Sequence, residues 1–134
     1  MPTLRIAPPV SPKESLQRFQ QLIELVEGDA PIGHAQWMCA ADISEGTAQI
    51  LDLQVTPPHN RQGNGHLLMN AVTDQAKAYF KLNKTKLRRI WIAIEQKRQV
   101  IGRSFLMKFG FHHVGTVHEL LRDEDLLIYM RTFN

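Results

Sequence analysis

The sequence predicts a single α/β domain over residues 1–134, in which helices flank a mixed sheet. Two observations support this. Segments of helical apolar periodicity alternate with apolar runs typical of strands, and Gly, Pro, Asn and Asp punctuate the boundaries. The element order, β-α-β-β-α-β-α-β-β, favours helices packed on a mixed sheet. Apolar residues are 43% and charged residues 22% of the chain, enough apolar material for one core.

The N-terminal third predicts a short strand and a long helix. Residues 3–7 form the strand, which Pro8 and Pro9 end. The helix covers residues 11–28, because Ser11 is a good N-cap and the following Pro and Glu suit the first turn. Its apolar face would consist of Leu16, Phe19, Leu22, Ile23 and Val26.

The rest of the chain alternates strands and helices. Two strands, AQWMCAADI and TAQILDLQVT, are separated by a turn-like SEG and indicate a hairpin. A helix over residues 65–80 follows, with an inward stripe of Leu68, Val72, Ala76 and Tyr79. The remaining predicted elements are a strand at 89–95, a helix at 98–110, and strands at 111–120 and 126–132.

Several classes of protein are disfavoured. Cys39 is the only cysteine, so a disulfide framework or a zinc site of several cysteines is excluded, and its strand setting indicates a core thiol. No metal site is expected. No apolar run approaches the roughly 18 residues that span a bilayer, and no secretory signal is visible, so we expect a cytoplasmic protein. A net charge of +3 suits an anionic ligand but does not by itself argue for nucleic acid.

Gly63 and Gly65 stand where a strand and a short loop lead into a helix. The first turn of a helix carries unpaired N–H groups and a partial positive charge, so it binds phosphate well. The P-loop pattern fails because no Lys follows Gly65, and the dinucleotide pattern fails because Leu68 replaces its third glycine. A glycine-rich turn without a ligand explains these two residues equally well.

The stretch LDLQVTPPHNRQGNGHLL resembles the pyrophosphate loop of the GNAT acetyltransferases. Val55, Pro57, Gly63 and Gly65 stand at the family spacing, with Asn60 where the family usually has Arg or Gln. A second stretch, QVIGRSFLMKFGF, resembles the later family helix. At the positions of the family motif it has Gln99, Gly102, Phe105, Leu106, Lys108, Gly110 and Phe111. The resemblance covers residue 51 to the C-terminus and implies a mostly antiparallel sheet with splayed central parallel strands.

The resemblance also implies how acetyl-CoA binds. Backbone groups of Leu53 and Val55 would pair with the pantetheine arm and the acetyl carbonyl, and the N–H of Val55 would be the oxyanion donor. The amides of the loop would hold the pyrophosphate, with the charge of Arg61 added. The cofactor contacts expected there and on the later helix are Arg61, Gln62, Gly63, Asn64, Gly65, His66, Gln99 and Leu106.

Catalysis requires a neutral amine, and two carboxylates are candidates for the base. Asp52 and Glu95 lie on or at the end of the two strands that would flank the cofactor. Further candidates are His34, His112, His113 and His118, because an unperturbed imidazole titrates near about 6.5. The family usually has a tyrosine in place of Leu106, where it protonates the departing thiolate, and Leu cannot do this.

These features predict an N-acetyltransferase that transfers acetyl from acetyl-CoA to a primary amine by direct attack in a ternary complex. The alternative is a non-catalytic acyl-CoA-binding module, which Leu106 and Asn60 favour. A third hypothesis, a nucleic-acid-associated protein, rests on the basic stretch at residues 81–89 together with Lys97 and Arg98. A solvated surface explains these residues better. The apolar segment at residues 126–132 would allow a homodimer.

Overall fold

The computed structural model describes residues 2–6, 19–57, 63–96, 99–121 and 124–134, with the backbone alone at 99–101 and 119–121. The chain divides into two compact units, Met1–Leu87 and Arg88–Asn134. Across the described ranges, seven strands accompany two α-helices, and the strand pairs within each unit are antiparallel. The predicted α/β class and mostly antiparallel pairing are confirmed. The splayed central strands stay a prediction.

In its described residues, the first unit is an antiparallel sheet with one α-helix. Its strands lie side by side in chain order, and α1 (Asn64–Leu82) follows the last of them. Gly28, with φ +61°, begins the two-residue turn into the third strand. The strands are β1 (Thr3–Ile6), β2 (Gln20–Glu27), β3 (Ala30–Ala40) and β4 (Thr47–Val55). These bounds confirm the predicted first strand, the predicted hairpin, which is formed by β3 and β4, and the predicted helix that follows it.

The helix predicted over residues 11–28 is wrong for its second half, because residues 20–27 form β2. Gln21, Ile23 and Leu25 are buried and alternate with half-buried neighbours, which is the period of a strand. Adjacent apolar residues in this stretch fit a helical face as well. Pairing with both β1 and β3 decides the outcome, because tertiary context overrides local propensity. Residues 11–18 lie outside the described part.

α1 packs on β2, β3 and β4 through the predicted stripe. Leu68, Val72 and Ala76 are fully buried, and Phe80 extends the stripe by one turn. Burying each large apolar side chain stabilises the fold by about 1.5–3 kcal/mol. Tyr79 is half-buried and stacks on Phe19, with ring centroids 4.2 Å apart. The prediction that this side of α1 faces the sheet is confirmed.

The second unit contains three antiparallel strands in the order β5-β7-β6, together with the second helix. Gly110, with φ +83°, ends this helix, and its N–H bonds the carbonyl of Met107 at 3.0 Å. The predicted elements of this half are confirmed. They are β5 (Arg89–Glu95), α2 (Gln99–Lys108), β6 (His112–Leu121) and β7 (Glu124–Thr132).

Cys39 lies in the core of the first unit with 4% of its surface exposed, as expected for a core thiol. Among the helices described, none has both the length and the apolar character needed to cross a membrane.

Candidate active site

The start of α1 has the backbone that the glycine pattern predicted. Gly63 is the N-cap residue with φ +77°, in the left-handed region that glycine adopts without steric cost. Apart from its chain neighbours, no atom of the described residues lies within 4 Å of a Cβ placed at Gly63, so the positive φ is the reason for glycine that the described residues give. Gly65 lies half-buried in the first turn. Residues 58–62, which include Arg61 and Gln62, lie outside the described part of the chain.

The electrostatics of this turn suit an anion. The first N–H groups of a helix have no acceptor within the helix, and the helix dipole adds a partial positive charge. α1 has 19 residues and carries no acidic side chain in its first turn. Asn64 is buried at 3% exposure, whereas His66 is exposed. A phosphate group placed above this turn would therefore meet backbone donors without a competing carboxylate.

A hydrogen-bonded cluster lies on β3 and β4, on the face of the sheet away from α1. Nε2 of His34 lies 2.7 Å from Oδ2 of Asp52. Nε2 of Gln54 donates to the other carboxylate oxygen, Oδ1, at 3.2 Å. The strand register places them together, since His34 is opposite Gln54 and Asp52 is opposite Gln36. The structure thus unites two candidate bases that the sequence proposed separately.

A cleft of about 430 Å³ opens beside this cluster. His34 and Gln36 line it from β3, and Leu22 and Glu24 line it from β2. Glu24 is the one carboxylate among the described lining residues, and Nη2 of Arg5 donates to its Oε2 at 2.9 Å. This carboxylate raises the pKa of the Arg5 guanidinium, chiefly through the hydrogen bond. The remaining lining residues are Pro31, Gly33 and Thr56.

Gly33 sets the distance between β3 and the end of β4. A Cβ at this position would lie 2.8 Å from the backbone oxygen of Gln54 and 3.3 Å from Cα of Val55. Only glycine fits so close an approach. The sequence pattern gave no sign of this role, because the contact depends on the register between two strands. Leu53 and Val55, the predicted backbone contacts for the cofactor, lie half-buried on β4.

The other predicted site residues lie in the second unit. Glu95 is half-buried at the end of β5. His112, His113 and His118 are exposed on β6. There, Nε2 of His113 lies 3.0 Å from the hydroxyl of Thr116, and Nδ1 of His118 lies 3.3 Å from Oδ2 of Asp125. The hydrogen bond between His34 and Asp52 is the contact that joins two of the predicted bases.

The second motif supplies a buried apolar residue. Leu106 is 2% exposed, and its carbonyl accepts bonds from the N–H groups of Phe109 and Phe111, both at 3.0 Å. Tyr129 on β7 is also buried, at 2% exposure. Gln99 is the first residue of α2, and only its backbone belongs to the described part of the structure. In the part that is described, no group of three or more His, Cys, Asp or Glu is arranged to hold a metal.

Comparison with known proteins identifies the family. Residues 7–111 match the family model of the acetyltransferase (GNAT) family. The chain belongs to the GNAT family of acetyltransferases. GNAT acetyltransferases use acetyl-CoA as acetyl donor, which confirms the predicted co-substrate and the acyltransferase class. No curated protein matches the sequence.

Solved structures of other GNAT proteins share this fold. The IAA acetyltransferase from Bacillus cereus ATCC 14579 has a TM-score of 0.75 at 14% identity, covering 98% of this chain and 100% of that chain. The ribosomal-protein-S18-alanine N-acetyltransferase from Escherichia coli has a TM-score of 0.74 at 15% identity, covering 98% and 94%. A candidate streptothricin acetyltransferase from Bacillus anthracis str. Ames, solved in complex with acetyl coenzyme A, has a TM-score of 0.68 at 20% identity, covering 86% and 63%.

Proposed function

We propose that this GNAT domain is an N-acetyltransferase that transfers acetyl from acetyl-CoA to a primary amine of a small molecule or protein. The amine attacks directly while both substrates are bound. The observation that carries the proposal is Gly63 at the N-cap of α1 with φ +77°. It supports an anion-binding turn at the position where the family holds the cofactor's pyrophosphate.

The residues present fit acetyl-CoA. The backbone amides from Gly63 to His66 would hold the pyrophosphate above a turn that carries no acidic side chain. Backbone groups of Leu53 and Val55 would bind the pantetheine arm, and the N–H of Val55 would stabilise negative charge on the acetyl oxygen. One such donor is worth about 10²–10³ in rate. When bound, acetyl-CoA supplies the activated acetyl group.

The acceptor amine must be neutral to attack. An alkylamine with a pKa of about 10.4 is neutral only about once in 10³ at pH 7, so a proton acceptor speeds the reaction. We assign this part to the pair formed by Asp52 on β4 and His34 on β3, two candidate bases whose side chains are bonded at 2.7 Å. Glu95, at the end of β5, is the alternative base.

Leu106 favours a second candidate function, a non-catalytic acyl-CoA-binding module. Its side chain is buried and carries no proton to give to a departing thiolate. A thiol with a pKa of about 8.5 nevertheless leaves readily as thiolate, so the loss of a general acid lowers the rate without ending the reaction. General acid catalysis is typically worth about 10²–10⁴. Turnover therefore separates the two candidates.

Calorimetric titration with acetyl-CoA tests the binding site, with ATP and NAD as competitor ligands. Gly63→Ala forces a Cβ onto a positive φ at the start of α1 and should weaken acetyl-CoA binding at least about tenfold. Gly28→Ala is the matched control, because Gly28 also has a positive φ and, among the described residues beyond its chain neighbours, no atom within 4 Å of a Cβ. Both substitutions introduce about 1–2 kcal/mol of backbone strain. Failure of wild type to bind millimolar acetyl-CoA would overturn the proposal.

A screen of primary amines, with release of free CoA thiol as the readout, tests catalysis. Turnover of an amine, with an N-acetyl product seen by mass spectrometry, would establish the enzyme. Selective acetyl-CoA binding without turnover of any amine would instead establish the binding module. A homodimer through the C-terminal strands and a cytoplasmic location belong to the same proposal, and the molar mass in solution tests the first of these.

A further inference from the structure

We propose that His34 is the residue that takes the proton from the acceptor amine and that Asp52 is a positioning residue acting through it. This inference rests on the proposed function and refines its proton-transfer step. The observation behind it is the 2.7 Å contact between Nε2 of His34 and Oδ2 of Asp52, on the sheet face that borders the cleft.

The hydrogen bond fixes which imidazole nitrogen can act. An ionised carboxylate can only accept, so the hydrogen between Asp52 and His34 is on Nε2. The neutral ring then has its lone pair on Nδ1. Both oxygens of Asp52 already accept a bond, one from His34 and one from Gln54 at 3.2 Å. Nδ1 is therefore the proton-accepting atom that the pair offers to a substrate.

Two carboxylates lie near His34, where this step places a positive charge. Asp52 on β4 contacts the ring directly, and Glu24 on β2 stands opposite His34 in the strand register. Glu24 is already paired with Arg5 of β1 at 2.9 Å, so much of its charge is compensated. Asp52, which binds Gln54 and His34, is thus the carboxylate that stabilises a protonated ring. Gln54 restrains this carboxylate from its far side.

In the described part of the chain, the side chain of His34 is accessible from the cleft. Its side chain is 37% exposed and lines the 430 Å³ cleft together with Leu22 of β2. Leu22 offers an apolar surface to the carbon chain of an amine, while the ring offers a proton acceptor. A small or extended primary amine entering this cleft would reach the ring without displacing a core residue.

At pH 7 the acceptor arrives mainly as an ammonium ion, which gives one proton to Nδ1 of His34, where Asp52 stabilises the positive charge. His34 passes this proton to solvent, which restores the neutral ring. The neutral amine nitrogen then forms a bond to the acetyl carbon, and the carbon–sulfur bond breaks with its electron pair leaving on sulfur. The second proton, which the nitrogen loses on becoming an amide, goes to the departing sulfur or to solvent.

The test is the pH dependence of kcat/KM for an alkylamine that the wild type acetylates, compared with His34→Gln and Asp52→Asn. Without its proton acceptor, the His34→Gln enzyme uses only amine that is already neutral. Its kcat/KM should be lower by about 10² at pH 7 and should rise by about tenfold per pH unit. The deficit should therefore shrink at least about tenfold by pH 10. Asp52→Asn should show the same trend with a smaller deficit.

Met38→Gln is the matched control. Met38 is half-buried on the same strand and face as His34, two alternations further along, and it does not line the cleft. It should keep the wild-type rate at each pH. KM for acetyl-CoA should stay within about twofold in all three variants, since none touches the start of α1.

Each contrary outcome has its own signature. A deficit of the same size at every pH would mean that His34 only shapes the cleft, and a rate within about twofold of wild type would remove it from the reaction. Either result overturns the inference and leaves the proposed function intact. A wild type that binds acetyl-CoA but acetylates no amine overturns both the proposed function and the role of His34.

Discussion

The indole Nε1 of Trp37 on β3 donates a hydrogen bond to Oε1 of Gln75 on α1 at 2.7 Å. Trp37 is fully buried, and Gln75 supplies the acceptor that a buried indole N–H needs. Gln75→Met keeps the length of the side chain and removes the acceptor. A buried donor left unpaired costs about 1–3 kcal/mol, and we expect a loss of that size in the free energy of unfolding by urea.

A double-mutant cycle provides the control for this bond. In a Trp37→Phe background the N–H is gone, so Gln75→Met should cost less than it does in the wild type by about 1 kcal/mol or more. Equal costs in the two backgrounds would mean that the bond contributes nothing beyond packing.

Gly33 predicts a second stability effect. Ala at this position would place its Cβ 2.8 Å from the backbone oxygen of Gln54, and neither backbone can move without disturbing the sheet. Overpacking of this kind costs about 1–3 kcal/mol, and Gly33→Ala should lower the free energy of unfolding by that amount. Because Val55 lies next to the clash at 3.3 Å, acetyl-CoA affinity measured by calorimetry should fall as well.

Gly115→Ala is the control for this substitution. Gly115 on β6 has no atom within 4 Å of a Cβ and no positive φ, so its replacement should stay within about 0.5 kcal/mol of wild type. If Gly33→Ala were equally mild, the close approach of β3 to β4 would not constrain the site.

Local chemistry explains which parts of the site could be predicted from the sequence. The glycine at position 63 was predictable because a helix start with a left-handed N-cap depends on a few adjacent residues. β2 was not predictable in the same way, because Leu22, Ile23 and Val26 satisfy a helical period and a strand period about equally. Its two neighbouring strands, rather than its own sequence, make it a strand.

The contact between His34 and Asp52 marks where prediction from sequence stops. Asp52 was predicted to lie on a strand and His34 directly before one. Their meeting depends on register, and a slip of one residue turns a side chain to the other face. The register here also shifts between Gln36 and Trp37, so counting back from the hairpin turn gives the wrong partner. Eighteen positions separate the two residues in the chain, and no local rule joins them.

Leu106 predicts a stability effect in the second unit. Its side chain is 2% exposed at the end of α2, so Leu106→Ala should cost about 2–5 kcal/mol in the free energy of unfolding. Met107→Ala is the neighbouring control; Met107 is 53% exposed, and its replacement should stay within about 0.5 kcal/mol. A mild effect of Leu106→Ala would mean that this leucine is not a core residue and that its position is available for a substrate.

Ionisation of Tyr79 should lower the free energy of unfolding at alkaline pH. Its partial burial raises the pKa of the phenol above the ordinary value of about 10. The folded state therefore holds this proton more tightly than the unfolded state does. The contribution of this phenol to the free energy of unfolding is therefore fully present at neutral pH, and it is lost as the pH rises through the pKa of Tyr79 in the folded state. Tyr79→Phe keeps the stacking on Phe19, so it should lose less stability than wild type between about pH 9 and pH 11.

Absorbance titration of the phenolate measures this pKa directly. The chain has two tyrosines, so the Tyr129→Phe variant reports Tyr79 alone, and its midpoint should lie above that of a free tyrosine, about 10. Urea unfolding of this variant at neutral pH checks that the second unit remains folded. A midpoint at or below the free value would mean that water reaches the Tyr79 hydroxyl freely, and the alkaline difference between wild type and Tyr79→Phe should then vanish as well.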